Sequence, residues 1–187
     1  MLELAVLGLL HESPLHGYEL RQRLKATLGS FRAFSYGSLY PTLRRMKDAG
    51  WIAEDEGDAD VVAGAPALTG RRGKVVYKLT AEGKEKFTEL LSEAGPSSWE
   101  DEQFGVHFAF FGKTDPEVRV RILEGRRSRL EERREGVRAT LARTRARLDS
   151  YTLQLQEHGL ESVDREVRWL TELIEHERAD GDPPPPR

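Results

Sequence analysis

The sequence SYGSLYPTLRRMKDAG, residues 35–50, decides how the first half of this chain is expected to fold. Its apolar residues Leu39, Leu43 and Met46 recur at intervals of four and three, which is the spacing of one helix face. The first serine of the segment is a suitable N-cap, and its last glycine is a typical helix stop. The pattern therefore predicts a helix over residues 35–49.

The polar residues of this helix are expected on the side opposite the apolar stripe. Ser38, Thr42 and Arg45 fall there, and Tyr40 and Arg44 lie on the flanks. Hydroxyl and guanidinium groups are the donors that bind base edges and phosphates in duplex DNA. The pattern thus favours a helix that reads DNA, and an ordinary surface helix of a bundle is the alternative.

Pro41 lies inside the predicted helix, where a proline removes a backbone hydrogen bond and costs about 3 kcal/mol. Gly37, four residues earlier, relieves part of the steric crowding. A local rule broken in an otherwise regular helix indicates a position kept for function.

Two helices are expected before this segment and a β-hairpin after it. Residues 2–10 are apolar nearly all round, and residues 16–28 have helical apolar spacing. Residues 51–54 and 73–80 have the composition of strands, and the loop between them is long, with residues 58–70 rich in small side chains. Three helices and a hairpin are the order of a winged helix-turn-helix, whose third helix enters the major groove.

The charges are unevenly distributed, although the net charge is only −3. Residues 20–47 and residues 61–81 contain basic side chains and no acidic one. Two such segments in a slightly acidic chain indicate a local surface for an anionic partner, with an ordinary solvated surface as the alternative.

The second half has the composition of long, charged helices. Gly95 and Pro96 begin a linker, and Asp115 with Pro116 predicts the start of a long helix with heptad spacing. A break is expected at His158-Gly159, after which the apolar stripe resumes. The many arginines of residues 126–134 are interspersed with glutamates and predict a solvated helix face. Such an antiparallel pair leaves apolar seams that a second copy is expected to cover.

We therefore expect a mainly α-helical chain with a small β-hairpin wing. The predicted domains are an N-terminal winged helix-turn-helix over residues 1–94 and a C-terminal antiparallel helical dimerisation domain over residues 95–178. Residues 179–187 form a predicted disordered, proline-rich tail.

Several classes of function are disfavoured by the composition. The chain has no cysteine, and its five histidines show no ligand spacing, so neither a metal site nor a cofactor is expected. No catalytic arrangement is visible, which argues against an enzyme. No apolar run is long enough to cross a bilayer, and the start lacks signal-peptide features, so a cytoplasmic protein is expected.

An aromatic cluster in the second half is a candidate effector pocket, because such pockets are apolar with few polar anchors. Plain packing between domains is the stronger alternative. The residues are Trp99, Phe104, Phe108 and Phe111.

Four segments together resemble the DNA-binding domain of PadR-family transcriptional regulators: MLELAVLGLL, PLHGYEL, YGSLYPTLRRMKDAGWI and RRGKVVYKLTAEGK. The most specific parts are His-Gly-Tyr at 16–18 and Gly-Ser-Leu-Tyr-Pro at 37–41. The resemblance implies a homodimer on a palindromic operator, usually a repressor, with a small-molecule effector near the dimer interface. The chain departs from the family pattern in its long wing loop and in Trp51, where an aliphatic residue is commoner.

The pattern and the resemblance together give one set of expected DNA contacts. The set comprises Tyr18, Ser35, Tyr36, Ser38, Tyr40, Thr42, Arg44, Arg45, Arg71, Arg72, Lys74 and Tyr77. The expected partners are double-stranded DNA, a second copy of the chain and a small-molecule effector. The alternative function is a protein-interaction module that uses a winged helix and a coiled coil without binding DNA.

Overall fold

The computed structural model describes residues 1–29, 36–56 and 75–179. The chain divides into two compact units. The first comprises Met1–Glu93 and Asp101–Thr114, and the second comprises Ala94–Glu100 and the helices that follow Asp115. The structure differs here from the predicted boundary between residues 94 and 95, because the segment after residue 100 returns to the first unit.

The first unit contains five helices and a small sheet in the part of the chain that is described. In chain order these are α1 (Leu2–Glu12), β1 (Leu15–His16), α2 (Gly17–Leu28), α3 (Leu39–Asp48), β2 (Ile52–Glu56), β3 (Val75–Leu79), α4 (Ala81–Ser92) and α5 (Asp101–Ala109). Short 3₁₀ turns, Tyr36–Ser38 and Phe111–Lys113, precede α3 and follow α5.

The core of this unit is built around α1. All its residues from Leu4 to Leu10 are buried, as expected for a helix that is apolar nearly all round. Helices α2, α3 and α4 pack on it, and α5 contacts α2. The prediction of a helix buried on most sides is confirmed.

The sheet has three antiparallel strands in the order β1-β3-β2. Ile52 pairs with Leu79 and Glu56 with Val75, which gives the predicted hairpin. The sequence did not reveal β1, because its two residues are too few to show a period. The mainly α-helical fold with a small β wing is confirmed.

The start of α4 is fixed by contacts of Thr80 and Gly83. Thr80 is the N-cap, as predicted, and its Oγ1 accepts a hydrogen bond from the Gly83 backbone N–H at 3.0 Å. The same hydroxyl donates to the Gly50 carbonyl at 2.6 Å, which joins the end of α3 to α4. A Cβ at Gly83 would lie 2.0 Å from the Trp51 carbonyl oxygen, so only glycine fits there.

Helix α3 begins later than predicted, and this changes the interpretation of Pro41. Ser38, not Ser35, is at the N-cap position, and Leu39 is the first helical residue. Pro41 therefore lies in the first turn, where backbone N–H groups have no partner within the helix. The prediction of a costly interior proline is wrong.

The second unit is a pair of long helices preceded by a 3₁₀ turn. The elements are the turn Pro96–Trp99, α6 (Pro116–Thr144), a 3₁₀ turn Arg145–Arg147 and α7 (Ser150–Ala179). Asp115 caps α6 by accepting from the Glu117 N–H at 2.8 Å, with Pro116 in the first turn, as predicted.

Ion pairs define the antiparallel direction of α6 and α7. Arg119 bonds to Glu177, Arg126 to Glu166, and Arg145 to Glu157. The partner's number falls as the arginine's number rises, so the helices run in opposite directions. The antiparallel part of the fold prediction is confirmed.

The predicted helix break at His158-Gly159 is wrong, because α7 continues through it. The break lies earlier, where Leu148 has an extended backbone. The Asp149 side chain accepts from the backbone N–H groups of Tyr151 and Thr152 at 2.9 and 3.0 Å and starts α7. Bonds from Thr152 also lower the pKa of Asp149. A glycine inside a long helix costs only about 1 kcal/mol, which the packing of α7 overcomes.

Within the described ranges, no helix combines the length and the apolar character that crossing a bilayer requires.

Candidate nucleic-acid interface

Helix α3 is anchored in the core by the apolar stripe that the sequence predicted. Leu39, Leu43 and Met46 are all 1% exposed or less. The opposite side is open to solvent, where Tyr40 is 52% exposed and the Arg45 side chain 68% exposed. The helix therefore has a fixed buried face and a free face rich in hydrogen-bond donors.

Thr42 is not on that free face, although the sequence placed it there. It is 5% exposed. Thr42 follows Leu39 by three residues and precedes Met46 by four, so it shares their side of the helix. The outward orientation predicted for Thr42 is wrong, and its hydroxyl is not available to a large partner.

Tyr40 is held where α2 begins. Its ring lies over Gly17, so that a Cβ at Gly17 would be 3.3 Å from Tyr40 Cε1 and 3.5 Å from Tyr77 Cε2. Absence of a side chain at Gly17 therefore lets three elements meet: α2, α3 and β3. The His-Gly-Tyr and Gly-Ser-Leu-Tyr-Pro segments, far apart in sequence, form one surface.

Tyr77 supports this surface from below rather than projecting from the wing. It is only 9% exposed and belongs to the hydrophobic core. Alternation along β3 turns Tyr77 inward and leaves the neighbouring Lys78 exposed. Burial, with a smaller effect of Glu54, raises the pKa of Tyr77. Tyr77 therefore has a packing role in the first unit, and the DNA contact at Tyr77 stays a prediction.

Tyr18 and Ser38 are exposed, as a DNA contact requires. Tyr18 lies in the first turn of α2, 56% exposed, and its hydroxyl accepts a bond from Gln22 Nε2 at 2.7 Å. The same turn is fixed by the His16 backbone N–H, which donates to the Glu19 carboxylate at 2.8 Å. His16 therefore helps to start α2.

The cations of α3 differ in their partners. Arg45 forms an ion pair with Glu3 of α1 at 2.7 Å, and Lys47 pairs with Glu54 of β2 at 2.9 Å. The Glu54 carboxylate, by hydrogen bond and charge, raises the pKa of Lys47. Arg44 is exposed and forms no ion pair with any residue of the described ranges.

The remaining predicted contacts cannot be placed on this surface. Ser35, Arg71, Arg72 and Lys74 lie outside the described residues, as do the Tyr36 side chain and the loop at 58–70.

The four aromatic residues of the predicted effector pocket belong to different units. Phe104 and Phe111 are buried, and Phe108 bridges them with ring centroids 5.7 and 5.0 Å away. Trp99 belongs to the second unit, where its ring packs against the backbone of Gly125. These contacts are what ordinary packing requires, and the effector pocket stays a prediction.

Two ion pairs with a buried arginine were not predicted from the sequence. Arg119 and Glu177 are both 8% exposed and bond at 2.8 Å. Arg126 is also buried; it donates to Glu166 at 2.8 and 2.9 Å and to a backbone carbonyl, so the solvated position predicted for it is wrong. Each partner lies at least 40 residues away, and local charge spacing carries no signal of it.

His107 is a further polar residue whose burial was not predicted from the sequence. It is 2% exposed, and its Nε2 has no hydrogen-bond partner. Burial, and to a lesser degree the N-terminal ammonium, lowers the pKa of His107 to about 4. The side chain is therefore neutral at physiological pH. No cluster of three potential metal ligands occurs in the part of the chain that the structure describes.

Comparison with known proteins identifies the region that carries α2, α3 and the wing. Residues 6–89 match the family described as "Transcriptional regulator PadR-like family". The matched residues make up less than half of the chain, and the family that they resemble is described as one of transcriptional regulators.

A curated relative of this chain is the negative transcriptional regulator PadR of Bacillus subtilis (strain 168). The two are 29% identical over 96 residues, which is 51% of this chain and 48% of that protein. The match thus spans about half the length of the relative.

Solved structures resemble this chain more loosely. Bacillus subtilis PadR in complex with operator DNA is 20% identical with a TM-score of 0.43, over 94% of this chain and 98% of that one. The same protein in complex with p-coumaric acid is 20% identical, with a TM-score of 0.42 over 95% and 98% of the chains. The PadR-like transcriptional regulator BC1756 from Bacillus cereus is 22% identical, with a TM-score of 0.41 over 95% of this chain and 98% of that one. Similarity at this level carries no argument about what the present chain binds.

Proposed function

We propose that this chain is a transcriptional repressor that binds, as a homodimer, a palindromic operator in double-stranded DNA. The free face of α3 carries the proposal. Its apolar side is fixed in the core, while Tyr40 and Arg44 project from the other side. A rigid helix with exposed hydroxyl and guanidinium groups is what reading the major groove requires.

The contacts divide into base readers and phosphate binders. Ser38, Tyr40 and Arg44 are at the start and middle of α3 and face the groove floor. Tyr18, at the first turn of α2, lies beside them and binds a phosphate, as polar groups at helix N-termini commonly do. Arg71, Arg72 and Lys74 of the wing segment complete the set on the neighbouring backbone.

The homodimer is proposed to form through the long helices. Tyr151 and Leu155 are 83% and 67% exposed, four residues apart on one side of α7. Large apolar side chains in such positions favour burial against a second copy. Helix α1 is already covered within its own unit, so α7 is the better candidate. The two reading helices would then lie about 34 Å apart, one DNA turn.

Repression rather than activation is proposed because the curated relative is a negative transcriptional regulator. We place the protein in the cytoplasm, where its operator is accessible. We further propose that binding of a small molecule releases the protein from DNA.

Fluorescence anisotropy with duplexes from the region upstream of its own gene tests the proposal. Arg44→Ala removes a cation that is unpaired within the described ranges, and we expect about tenfold weaker binding, which corresponds to about 1.4 kcal/mol. Arg165→Ala is the matched control, because Arg165 is exposed on α7, which belongs to the second unit.

Equal effects of the two variants would contradict the proposal. Retained binding of a protein partner with no DNA binding by either the wild type or the variants would instead favour the protein-interaction module.

A further inference from the structure

The outward cations of α3 are not equivalent. Arg45 is paired with Glu3 of α1 at 2.7 Å, and Lys47 is paired with Glu54 of β2 at 2.9 Å. Arg44 has no acidic partner in the described ranges. The free face of the helix therefore presents one unpaired cation between two neutralised ones.

Helical geometry places the two ion pairs on opposite flanks. At 3.6 residues per turn, positions 45 and 47 are about 160° apart around the axis, and position 44 lies between them on the outer side. The carboxylates come from different elements, α1 on one flank and β2 on the other. Each therefore borders the reading helix where a DNA backbone would pass.

A carboxylate competes with a phosphate for the same guanidinium or ammonium group. To bind a phosphate, Arg45 must leave Glu3 and then leave that negative charge unpaired beside the DNA backbone. The pair itself is exposed, with side chains 68% and 28% accessible, so water screens it and it opens more easily than a buried pair would. Repulsion between the freed carboxylate and phosphates adds to the cost of opening the pair.

We infer that Glu3 and Glu54 determine specificity by holding Arg45 and Lys47 away from phosphates, so that DNA of the wrong sequence binds weakly. Binding to such DNA is essentially electrostatic, and masking two cations lowers it directly. Binding to the right sequence keeps the base contacts of Arg44 and Tyr40. The inference rests on the proposed DNA-binding function, and it gives a role to two acidic residues.

The test is the salt dependence of binding to a duplex of unrelated sequence. The full-length variants Glu3→Gln and Glu54→Gln each release one cation. We expect the slope of log K against log salt to steepen by about 0.9 for each, which is an affinity gain of about eightfold per tenfold drop in salt. Glu82→Gln is the control for one lost negative charge, because Glu82 is exposed and forms no ion pair with a residue of the described ranges.

The double variant Glu3→Gln/Arg45→Ala should return the slope to the wild-type value, and thermal melting followed by circular dichroism checks that each variant folds. A slope equal to that of Glu82→Gln would overturn the assignment for that glutamate. If the slope of the double variant is still steeper than that of the wild type, the assignment for Glu3 is also overturned. If the wild type binds no DNA at any salt concentration, the proposed function fails, and this inference fails with it.

Discussion

At the scale of single residues, the joint between α3 and α4 depends on a backbone contact. A Cβ at Gly83 would lie 2.0 Å from the Trp51 carbonyl oxygen, which is backbone and cannot swing away as a side chain can. The same carbonyl accepts the Thr80 hydroxyl at 3.0 Å. Any side chain at position 83 therefore pushes α4 away from the end of α3.

We expect Gly83→Ala to lower the free energy of unfolding by about 2 kcal/mol, since overpacking a fixed site costs about 1–3 kcal/mol. Gly136→Ala is the control, because nothing lies within 4 Å of its added methyl group. There the better helix propensity of alanine should raise stability by up to about 1 kcal/mol. Urea denaturation measures both, and equal changes would contradict the packing account.

His107 gives the first unit a pH dependence of defined sign. Its pKa is lowered from 6.5 to about 4 in the folded chain, so the unfolded chain binds the proton more readily. The free energy of unfolding should therefore be unaffected by this group above pH 6.5. As pH falls from 6.5 to 4 it should decrease, by at most about 1.4 kcal/mol per pH unit, and then level off.

The variant His107→Phe isolates this effect, since phenylalanine fills a similar volume without titrating. We expect denaturation midpoints of the variant to depend less on pH than those of the wild type, only within this window. Parallel pH profiles for the two proteins would show that His107 is not the group responsible.

At the scale of elements, α3 shows what periodicity predicts and where it stops. The apolar spacing of Leu39, Leu43 and Met46 gave the buried face correctly. It did not give Thr42, because burial of a polar residue depends on how far the neighbouring helices wrap around the stripe. Nor did it give the helix start, where Ser35 and Ser38 are both acceptable caps.

The helix pair α6 and α7 shows that sequence patterns do not predict which charged residues are buried. Its helices and its antiparallel direction followed from heptads and caps, whereas the buried Arg119–Glu177 pair did not. An arginine within a charged helix has the same local pattern whether its partner is water or a glutamate 58 residues away. Only the packed structure distinguishes the two cases.

Removing one member of this pair should be costly. Glu177→Gln leaves the buried Arg119 without its counter-charge, and we expect a loss of about 3 kcal/mol or more in the free energy of unfolding. The double variant Arg119→Met/Glu177→Met should lose less than the single one, because no buried charge is left unpaired. Glu161→Gln, in an exposed pair at 3.9 Å, should change stability by less than about 1 kcal/mol.

A single variant Glu177→Gln as stable as Glu161→Gln would contradict the view that burial makes the Arg119 pair important. Chemical denaturation of the three variants under one buffer makes the comparison direct.

At the scale of the whole molecule, the division into two units was predicted only in part. The linker near Gly95 was visible in composition, but the return of residues 101–114 to the first unit was not. That return depends on the packing of α5 against α2, which no local pattern encodes. The exposed face of α3 was predictable from the sequence, while the ion pairs of Glu3 with Arg45 and of Glu54 with Lys47 were not.

The proposed dimer predicts that a charge on the exposed apolar side of α7 changes the oligomeric state. Leu155→Glu places a charge on the exposed apolar side of α7, and we expect the protein to shift from dimer to monomer in analytical ultracentrifugation. Gln156→Glu adds the same charge at the next exposed position and should leave the dimer intact. A monomeric wild type would contradict the proposed interface.

Footprinting of the purified protein on the DNA upstream of its own gene tests the central claim most directly. The account expects two protected patches related by two-fold symmetry, with centres about 10 base pairs apart, lost at high salt and lost with Arg44→Ala. Absence of salt-sensitive protection, or a footprint unchanged by Arg44→Ala, would contradict the claim that α3 reads the duplex.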